Sequence, residues 1–562
     1  MTNLSKAEEE AISKLLDRTA ELLRLDKLEE AERFLGEVEK YKPGDINIAF
    51  QRGIIFVKKD EYEKALKKFM EVHERKPVFF ENLNNMATAY YNLGKFDEAI
   101  TFYREALKIK PDASFVMSAL GVCLSRNGQV NEAIQYFRDA LEISQEINFV
   151  HSDFLLTMVY AESVSPEELT EESKKFGENI AKTHPQKIRL AHDKTKDRKI
   201  RVGYISPDFR DHPVPYFLEP LLKNHDRKKF EVYAYSNTVM DNPIMDRMKS
   251  CVDVWRDIRR MKDEERYDLI VEDRIDILVD VSGHTANNNL RVFAYKPAPI
   301  QVSWMGYPAT TGMKVMDYRI TDPYAEPPGM TEHLNVEKLW RLPHIFCCYM
   351  PHEGSPDVID HPPFEDNGYI TFGCFNNFTK VRDPVLAVWK KILNAVPESR
   401  LFLEILSLDL PKVRNSVQER LIKQGLPLDR VIMEPRKSEN QFKLYNKIDL
   451  ALDPFPCNGG TTSFDTLWMG VPFVTLEGKN FVSRMGTTIL TNAGLAELIA
   501  PNTEEYISIA VDLATNKERL KDIRRNLREK FKDSPAMDQK LFAHDMEEAY
   551  LGMWGKYCGT GN

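Results

Sequence analysis

The segment LDPFPCNGGTTSFDTLWMGVPFVTL, residues 452–476, contains residue types that suit the binding of an anion. It begins at the end of an apolar strand, passes through a turn rich in Pro and Gly, and opens into a predicted helix near Thr461. The first backbone N–H groups of a helix have no partner within the helix, and the helix dipole is positive there. Glycines let a ligand approach the backbone, and threonine hydroxyls add donors. The segment therefore predicts a site for a phosphate or diphosphate.

The same residues have a second interpretation that involves no ligand. Thr462 and Asp465 have the spacing of a capping box, in which Thr462 caps the helix and Asp465 bonds back to the N–H of the cap residue. The segment alone leaves both interpretations open, so the rest of the sequence must distinguish them.

The composition describes an ordinary globular protein. The chain has 562 residues, of which 43% are apolar and 29% charged, with a formal net charge of −9. That balance argues against a dedicated nucleic-acid binder, which usually has a basic surface. No apolar signal core and no membrane-length apolar run is found, so a membrane association is not expected. Seven scattered cysteines without a CxxC pair fit reduced thiols in a cytoplasmic protein, and no clustering of His and Cys suggests a metal.

The first third of the chain repeats with a period of 34 residues, as tetratricopeptide repeats do. Small, aromatic, turn and helix-ending residues recur in phase: Ala31, Ala65, Ala99 and Ala133; Phe69, Tyr103 and Phe137; Gly94 and Gly128; Pro43, Pro77 and Pro111. About four repeats are predicted over residues 10–145, followed by further helices to about 190. Such arrays usually bind peptides or partner proteins along a concave face; the alternative is a homodimerisation or purely structural array.

The remainder alternates strands and helices, which predicts parallel sheets with helices on both faces. The pattern starts after a charged stretch near residue 191, is interrupted by a Pro-rich loop region at 321–366, and restarts near 368. We therefore predict three parts: a repeat array with linker helices over residues 1–190, and two α/β halves over 191–366 and 367–562. Ligands of such sheets bind beyond the carboxyl ends of the strands. Segment 452–476 lies there, and so does FGCFNNFTK, residues 372–380.

Five motifs of the α/β part resemble the nucleocytoplasmic protein O-glycosyltransferases, the family of the O-GlcNAc transferases and of the plant SPINDLY protein O-fucosyltransferase. They are VGYISPDFRDHPVPYF (202–217), DILVDVSGHTANNNLRVFAYKPAPIQVSWMGYPATTG (276–312), DYRITDPYAEPPG (317–329), FGCFNNFTKVRDPVLAVWKKIL (372–393) and LDPFPCNGGTTSFDTLWMGVPFVTLEG (452–478). They stand in the family's order behind the repeats that the family also has. The resemblance implies an α plus α/β protein, in which an α-solenoid precedes two Rossmann-like domains of the GT-B type. A short repeat array and the loop style suggest a prokaryotic member.

The resemblance also implies a reaction, the transfer of a sugar from a nucleotide sugar to Ser or Thr hydroxyls of proteins, with inversion and without a metal or other cofactor. We favour UDP-N-acetylglucosamine as the sugar donor. GDP-fucose is the second choice, because GHTANN, GYPATTG and FNNFTK look closer to SPINDLY. A transferase for small molecules and a repeat scaffold with an inactive transferase domain remain as alternatives.

The family's donor-binding positions are matched residue by residue. Lys380 matches the lysine that contacts the diphosphate, and Asn377 stands where the animal enzymes have a phosphate-contacting glutamine. The other matched positions are Gly460, Thr461 and Thr462 at the helix start, and Asp465 near the donor ribose. A cationic Lys380 suits the stabilisation of a leaving diphosphate without a metal. A solvated lysine at a helix start is the alternative.

Two histidines are candidates on the acceptor side. His212 matches the histidine considered as general base, since imidazole titrates in the right range; the alternative is a histidine that only bonds a loop. His284, at the end of a buried strand, contacts the sugar or simply fixes the turn. Thr311 and Gly312, in GYPATTG, are further candidates for sugar or acceptor contact.

Two positions depart from the family pattern. Gln441 stands where the family usually has a histidine, and Ser438 where it often has a lysine, and both positions face the sugar donor in the animal enzymes. Arg436 or Lys437 is the candidate replacement for the missing cation. The departures leave the donor's base and sugar open.

Overall fold

The structure is a computed structural model, and it describes residues 6–144, 148–187, 193–195, 198–359, 361–437 and 442–559. The chain forms two compact units, Met1–Thr157 and Met158–Asn562. The predicted departures Ser438 and Gln441 lie outside the described residues.

The first unit consists of helix hairpins in which a small residue faces an aromatic ring. Its helices are α1 Lys6–Arg24, α2 Leu28–Tyr41, α3 Ile46–Lys58, α4 Tyr62–Arg75, α5 Phe80–Asn92, α6 Phe96–Ile109, α7 Ser114–Arg126, α8 Val130–Ile143 and α9 Asn148–Val159. A Cβ on Gly53 would lie 2.3 Å from the ring of Phe69, and one on Gly121 would lie 3.0 Å from Phe137. In these two hairpins the small residue against the predicted aromatic ring is a glycine and not one of the predicted alanines. The four hairpins α1 to α8 confirm the four predicted repeats.

The first sheet of the second unit has seven parallel strands in the order β3-β2-β1-β4-β5-β6-β7. Its elements and the helix before it are α10 Pro166–Thr183, β1 Ile200–Ser206, α11 Pro213–Asn224, β2 Phe230–Ser236, α12 Pro243–Lys249, β3 Val254–Asp257, α13 Asp263–Glu272, β4 Ile277–Asp280, α14 Leu290–Ala294, β5 Ile300–Ser303, β6 Tyr318–Thr321 and β7 Lys338–Arg341, with a 3-10 turn at Glu332–Leu334. Strand β7 lies in the stretch that the prolines predict to be a loop. It extends the sheet edge because its backbone pairs with β6.

The second sheet has six parallel strands in the order β10-β9-β8-β11-β12-β13. Its elements are α15 Pro363–Asn367, β8 Thr371–Cys374, α16 Asp383–Ala395, β9 Arg400–Ile405, α17 Pro411–Lys423, β10 Val431–Pro435, β11 Leu450–Leu452, α18 Thr461–Trp468, β12 Phe473–Leu476, α19 Met485–Asn492, β13 Ile499–Ala500, α20 Thr503–Thr515, α21 Lys517–Arg525 and α22 Leu527–Lys532. Short 3-10 turns are found at Phe378–Lys380, Leu428–Arg430, Phe442–Lys447, Phe481–Ser483 and Ala496–Leu498. Strands β8 and β11 are central, so the segments that follow them meet at one edge of the sheet.

The last helix, α23 Gln539–Cys558, packs on the first sheet although it follows the second sheet in the sequence. Met546 and Tyr550 are buried in the core of the first sheet. The hydroxyls of Tyr204 and Tyr550 lie 3.0 Å apart. The first half therefore includes α23 as well as strands β1 to β7 and the helices between them.

Helix α10 also belongs to the second unit, so the first unit ends at Thr157 and not at the predicted residue 190. The helix crosses the loop after β5 so closely that a Cβ on Gly177 would lie 1.9 Å from the carbonyl oxygen of Gly312. The Thr170 hydroxyl donates to the Leu334 carbonyl over 3.1 Å. These contacts fix α10 to the first half.

Candidate active site

The start of α18 is an open helix N-terminus at the carboxyl edge of the second sheet. Gly460 is the N-cap residue and has no side chain with which to cap the helix. Thr461 and Thr462 are half-buried, so their hydroxyls and the first N–H groups reach a surface that a ligand can contact. The predicted capping box is absent, because Gly460 and not Thr462 is the cap residue. Of the two interpretations, the geometry favours the anion site.

Lys380 lies against the turn that leads into this helix. It ends the 3-10 turn after β8, and its Nζ donates a hydrogen bond of 2.7 Å to the carbonyl oxygen of Asn458. Burial acts to lower the pKa of Lys380, but its neighbours Cys457, Tyr160 and Asp453 together outweigh it, and the pKa is raised. Lys380 is therefore a cation at neutral pH. Asn458, whose carbonyl it bonds, lies two residues before the helix N-cap, Gly460.

Asp453 is a buried carboxylate beneath the same turn. Its Oδ1 accepts the N–H of Gly459 over 2.7 Å, and its Oδ2 accepts the hydroxyl of Thr475 over 2.7 Å. Burial raises the pKa of Asp453 to about 7, against the opposing effects of these hydrogen bonds and of Lys380. Asp453 was not among the predicted site residues, although a carboxylate directly after a buried strand is a signal the sequence contains.

Asp465 lies on α18, one turn from the helix start. Tyr349 donates its hydroxyl proton to Oδ1 of Asp465 over 2.6 Å. Burial raises the pKa of Asp465 to about 7, and the Tyr349 hydrogen bond acts to lower it. The carboxyl therefore bonds a tyrosine from the linking segment rather than its own helix, and Tyr349 is a residue for which the sequence pattern holds no evident signal.

Two polar residues at the edge of the site are partly engaged. Asn377 caps the 3-10 turn by accepting the Thr379 N–H over 3.1 Å, and its side chain is exposed. Arg436, a suggested substitute cation, bonds Glu404 over 3.0 Å and the Phe375 carbonyl over 2.7 Å. Arg436 is therefore already paired, which weakens its case as the replacement for a missing phosphate cation.

His212 is the N-cap residue of α11, the helix of the first half that meets α18. The rings of Phe217 on α11 and Phe464 on α18 have centroids 5.1 Å apart, so the two helices are in contact. His212 Nδ1 accepts the Val214 N–H over 3.4 Å and lies 3.8 Å from Oδ2 of Asp208. Burial lowers the pKa of His212, which keeps its ring neutral at neutral pH as a general base requires.

The other three acceptor-side candidates lie inside the first half. His284 is fully buried between the rings of Phe176 and Tyr307, at centroid distances of 4.6 and 4.9 Å. Its Nε2 lies 3.0 Å from the Thr311 carbonyl oxygen. Gly312 is covered by α10, as described above. The three residues were predicted to contact the sugar or the acceptor. In the structure α10 packs over them, so His284 and Thr311 have no exposed surface for a ligand.

The described residues offer no clustered metal ligands and no disulfide. Among them, no three His, Cys, Asp or Glu side chains are grouped so that they could hold a metal ion. The seven cysteines all lie in the described ranges, and none forms a disulfide. No helix in the described part of the chain combines the length and apolar character that crossing a membrane requires.

Two parallel Rossmann-like sheets, with an uncapped helix start at the edge of the second, are the arrangement of a GT-B glycosyltransferase fold. The model of glycosyl transferase family 41 matches residues 167–352 and 364–546, and a tetratricopeptide repeat model matches 79–146. The chain belongs to glycosyl transferase family 41.

Relatives and a solved structure agree with this assignment. The chain is 40% identical over 410 residues to the barley (Hordeum vulgare) protein named "Probable UDP-N-acetylglucosamine--peptide N-acetylglucosaminyltransferase SPINDLY", covering 72% of this chain and 43% of that protein. Arabidopsis thaliana SPINDLY is also 40% identical, covering 72% of this chain and 45% of that protein. A variant of the Thermobaculum terrenum O-GlcNAc transferase has a similar structure, with a TM-score of 0.83 at 32% identity, covering 92% of this chain and 98% of that one. The chain thus spans less than half the length of the curated relatives it matches.

Proposed function

We propose that this protein transfers a sugar from a nucleoside diphosphate sugar to Ser or Thr hydroxyls of proteins. The observation that carries the proposal is the meeting of Lys380 with the turn before α18, at 2.7 Å from the Asn458 carbonyl. One cation, two threonine hydroxyls and an uncapped helix N-terminus are thereby brought to the same turn. That combination suits the diphosphate of a leaving nucleotide.

In the proposed reaction, the bond between the anomeric carbon and the β-phosphate oxygen breaks, and a bond to the acceptor oxygen forms on the opposite face. The diphosphate departs with the bonding electrons, and Lys380 with the α18 N-terminus stabilises its growing charge. Asn377 adds an amide donor, and Asp465 accepts hydrogen bonds from the ribose hydroxyls. No step requires a metal, because the cation at the diphosphate is Lys380.

His212 is the proposed acceptor of the proton from the Ser or Thr hydroxyl. A neutral imidazole accepts a proton at only one nitrogen, and in the structure that nitrogen is Nδ1, which accepts the Val214 N–H over 3.4 Å. Nε2 becomes the base once Nδ1 gives up that long contact and holds the proton instead. Asp208, at 3.8 Å from Nδ1, is the group that would stabilise that proton. The tautomer in which Nε2 of His212 is basic thus depends on the carboxylate of Asp208.

UDP-N-acetylglucosamine is the proposed sugar donor, since the names of the barley and Arabidopsis thaliana relatives state that donor. GDP-fucose is the second candidate, because the segments GHTANN and FNNFTK resemble the SPINDLY sequences. Protein acceptors bound along the repeat array and a cytoplasmic location are part of the same proposal.

The test is incorporation of label from UDP-[³H]N-acetylglucosamine and GDP-[³H]fucose into a cytosolic protein mixture, followed by alkaline β-elimination to show attachment to Ser or Thr. We expect one sugar donor to label protein. Lys380→Ala should lower labelling by about 10²- to 10³-fold, because one preorganised charge at the leaving group is lost. Lys391→Ala, an exposed lysine on α16, is the matched control and should keep wild-type labelling. Labelling by neither donor, or unchanged labelling by Lys380→Ala, would overturn the assignment.

A further inference from the structure

The peptide group between Asn458 and Gly459 is bonded at both ends by side chains of opposite charge. Its carbonyl oxygen accepts a hydrogen bond from the Lys380 ammonium over 2.7 Å, and its N–H donates to the Asp453 carboxylate over 2.7 Å. Hydrogen bonds to charged groups are shorter and stronger than neutral ones. The Lys380 ammonium and the Asp453 carboxyl, most strongly in its ionised form, therefore hold one peptide from opposite sides and fix its orientation.

Asp453 is itself held firmly enough to act as an anchor. Its backbone N–H donates to the Val474 carbonyl over 3.0 Å, and its backbone carbonyl accepts the Tyr506 hydroxyl over 3.0 Å. The Thr475 hydroxyl bonds its second carboxylate oxygen. A Cβ on Gly486 would lie 2.8 Å from that same oxygen, so α19 closes the last side. The carboxylate has no room to move away from Gly459.

The turn above Asp453 is equally confined. A Cβ on Gly459 would lie 2.2 Å from the Ser463 hydroxyl and 2.9 Å from the side-chain oxygen of Asn376. The N–H of Asn458 donates to the Val482 carbonyl over 3.1 Å. An ammonium has three protons, of which the Asn458 carbonyl takes one and the neighbouring Cys457 thiol a second. Lys380 is thus held in place within the protein and keeps one proton for another ligand.

We propose that Asp453 is a positioning residue, which holds the Asn458–Gly459 peptide so that its carbonyl fixes the Lys380 ammonium beside the N-terminus of α18. Asp453 touches neither the nucleotide nor the sugar; it acts through the peptide and the lysine. The predicted effect of Asp453 on turnover rests on the proposed function. The predicted effect of Asp453 on Lys380 does not.

A purely electrostatic role for Asp453 makes the opposite prediction. A negative charge close to a diphosphate repels it, so removal of that charge alone would strengthen nucleotide binding and leave turnover intact or improved. A positioning role predicts that kcat falls while the Kd for the nucleotide changes little. Misplacement of a catalytic group by a fraction of an ångström affects the transition state most. The two roles are therefore separable by experiment.

Asp449 offers a matched control on the same strand. Asp449 directly precedes β11 and Asp453 directly follows it, and both side chains are buried. Asp449 also accepts two hydrogen bonds, from the N–H groups of Phe364 over 3.0 Å and Thr371 over 2.8 Å. It lies at the amino edge of the sheet, away from Lys380. Asp449→Asn and Asp453→Asn thus remove equivalent buried charges at opposite ends of one strand.

The experiment compares wild type, Asp453→Asn, Thr475→Val and Asp449→Asn in the full-length protein. We expect kcat of Asp453→Asn to fall by about tenfold or more, while the Kd for UDP or GDP, measured by calorimetry, changes by less than about threefold. Thr475→Val, which frees one carboxylate oxygen, should lie between Asp453→Asn and wild type. Asp449→Asn should keep kcat within about twofold of wild type. Wild-type kcat in Asp453→Asn, or an equal loss in Asp449→Asn, would overturn the proposal.

A second readout does not depend on transfer activity. Acetic anhydride labelling of Lys380, quantified by mass spectrometry, reports how firmly the ammonium is held. Loss of the opposing charge lowers the pKa of the lysine, so we expect Lys380 to react about threefold faster or more in Asp453→Asn than in wild type. Equal reactivity would overturn the positioning role. If wild type transfers no sugar but Lys380 reactivity still depends on Asp453, the proposed function fails while the coupling of Asp453 to Lys380 stands.

Discussion

At the residue scale, Asp465 illustrates a carboxylate whose place in the site conflicts with stability. Burial raises its pKa from 3.8 to about 7. Between about pH 4 and pH 7 the folded protein keeps this proton while the unfolded chain releases it, so stability falls as pH rises through that window. Above pH 7 the loss is complete, and the folded protein holds a buried charge whose partner is the Tyr349 hydroxyl.

Asp465→Asn should therefore be more stable than wild type at pH 8, by about 1 kcal/mol or more, and nearly equal to it at pH 4. Urea unfolding at the two pH values measures the difference. The same variant should bind UDP or GDP about tenfold more weakly, because a charged acceptor for the ribose hydroxyls is lost.

Tyr349→Phe is the control for that prediction. It removes the hydroxyl that stabilises the ionised form of Asp465, so the pH window in which stability falls should extend to higher pH. An Asp465→Asn variant with the wild-type pH dependence of stability would show that Asp465 is not the group that titrates.

Sequence reasoning at this scale succeeded where a residue's neighbours are local in the chain. The cluster of Gly460, Thr461 and Thr462 was readable because a helix start exposes its own N–H groups. The partners of Lys380 and Asp465 come from residues 78 and 116 positions away. Such pairs depend on how strands and loops assemble, which the local pattern does not encode, and this is why Tyr349 was missed. Asp453 was missed although its place directly after a buried strand is a local signal.

At the scale of elements, α23 shows the same limit. Its residues predict a helix, but nothing in their pattern indicates which sheet they cover. The buried side of α23 packs in the first sheet's core, and Asp226 donates its backbone N–H to Glu547 on α23 over 2.6 Å. The helix thus returns across the boundary that sequence order places between the two halves.

Met546→Ala should therefore destabilise the first half. Met546 is fully buried in the first sheet's core, and truncation of such a side chain costs about 2–5 kcal/mol. Glu548→Ala, an exposed neighbour on the same helix, should change the free energy of unfolding by less than about 0.5 kcal/mol. Hydrogen exchange followed by mass spectrometry should locate the loss of protection in β1 and β2; a loss confined to the second sheet would contradict the packing of α23.

Helix α10 explains why three predicted contacts became interior residues. Thr311 and Gly312 in GYPATTG were candidates for sugar or acceptor contact, but the glycine there permits the approach of a helix backbone. A Cβ on Gly312 would lie 1.8 Å from the carbonyl oxygen of Ser173. A glycine that admits a ligand and one that admits a helix have the same sequence signature, so only the structure distinguishes them.

At the scale of the whole molecule, the repeat array and the transferase unit are expected to divide the work between acceptor and sugar donor. Removal of residues 1–144, which leaves α9 intact, should lower labelling of proteins by about tenfold or more, since repeat arrays present extended binding surfaces. Hydrolysis of the nucleotide sugar by water should change by less than about threefold, because the proposed donor site lies wholly in the second unit. Equal loss of both activities would indicate a structural role for the array.

The central claim is that a nucleoside diphosphate binds between Lys380 and the start of α18. Isothermal titration of UDP and of GDP into wild type, Lys380→Ala and Lys391→Ala tests it without any assumption about the acceptor. We predict that wild type binds at least one of the two nucleotides at a single site, that Lys391→Ala binds equally well, and that Lys380→Ala binds about tenfold more weakly or worse, since a charged hydrogen bond is lost. Binding of neither nucleotide by wild type, or wild-type affinity in Lys380→Ala, would contradict the claim.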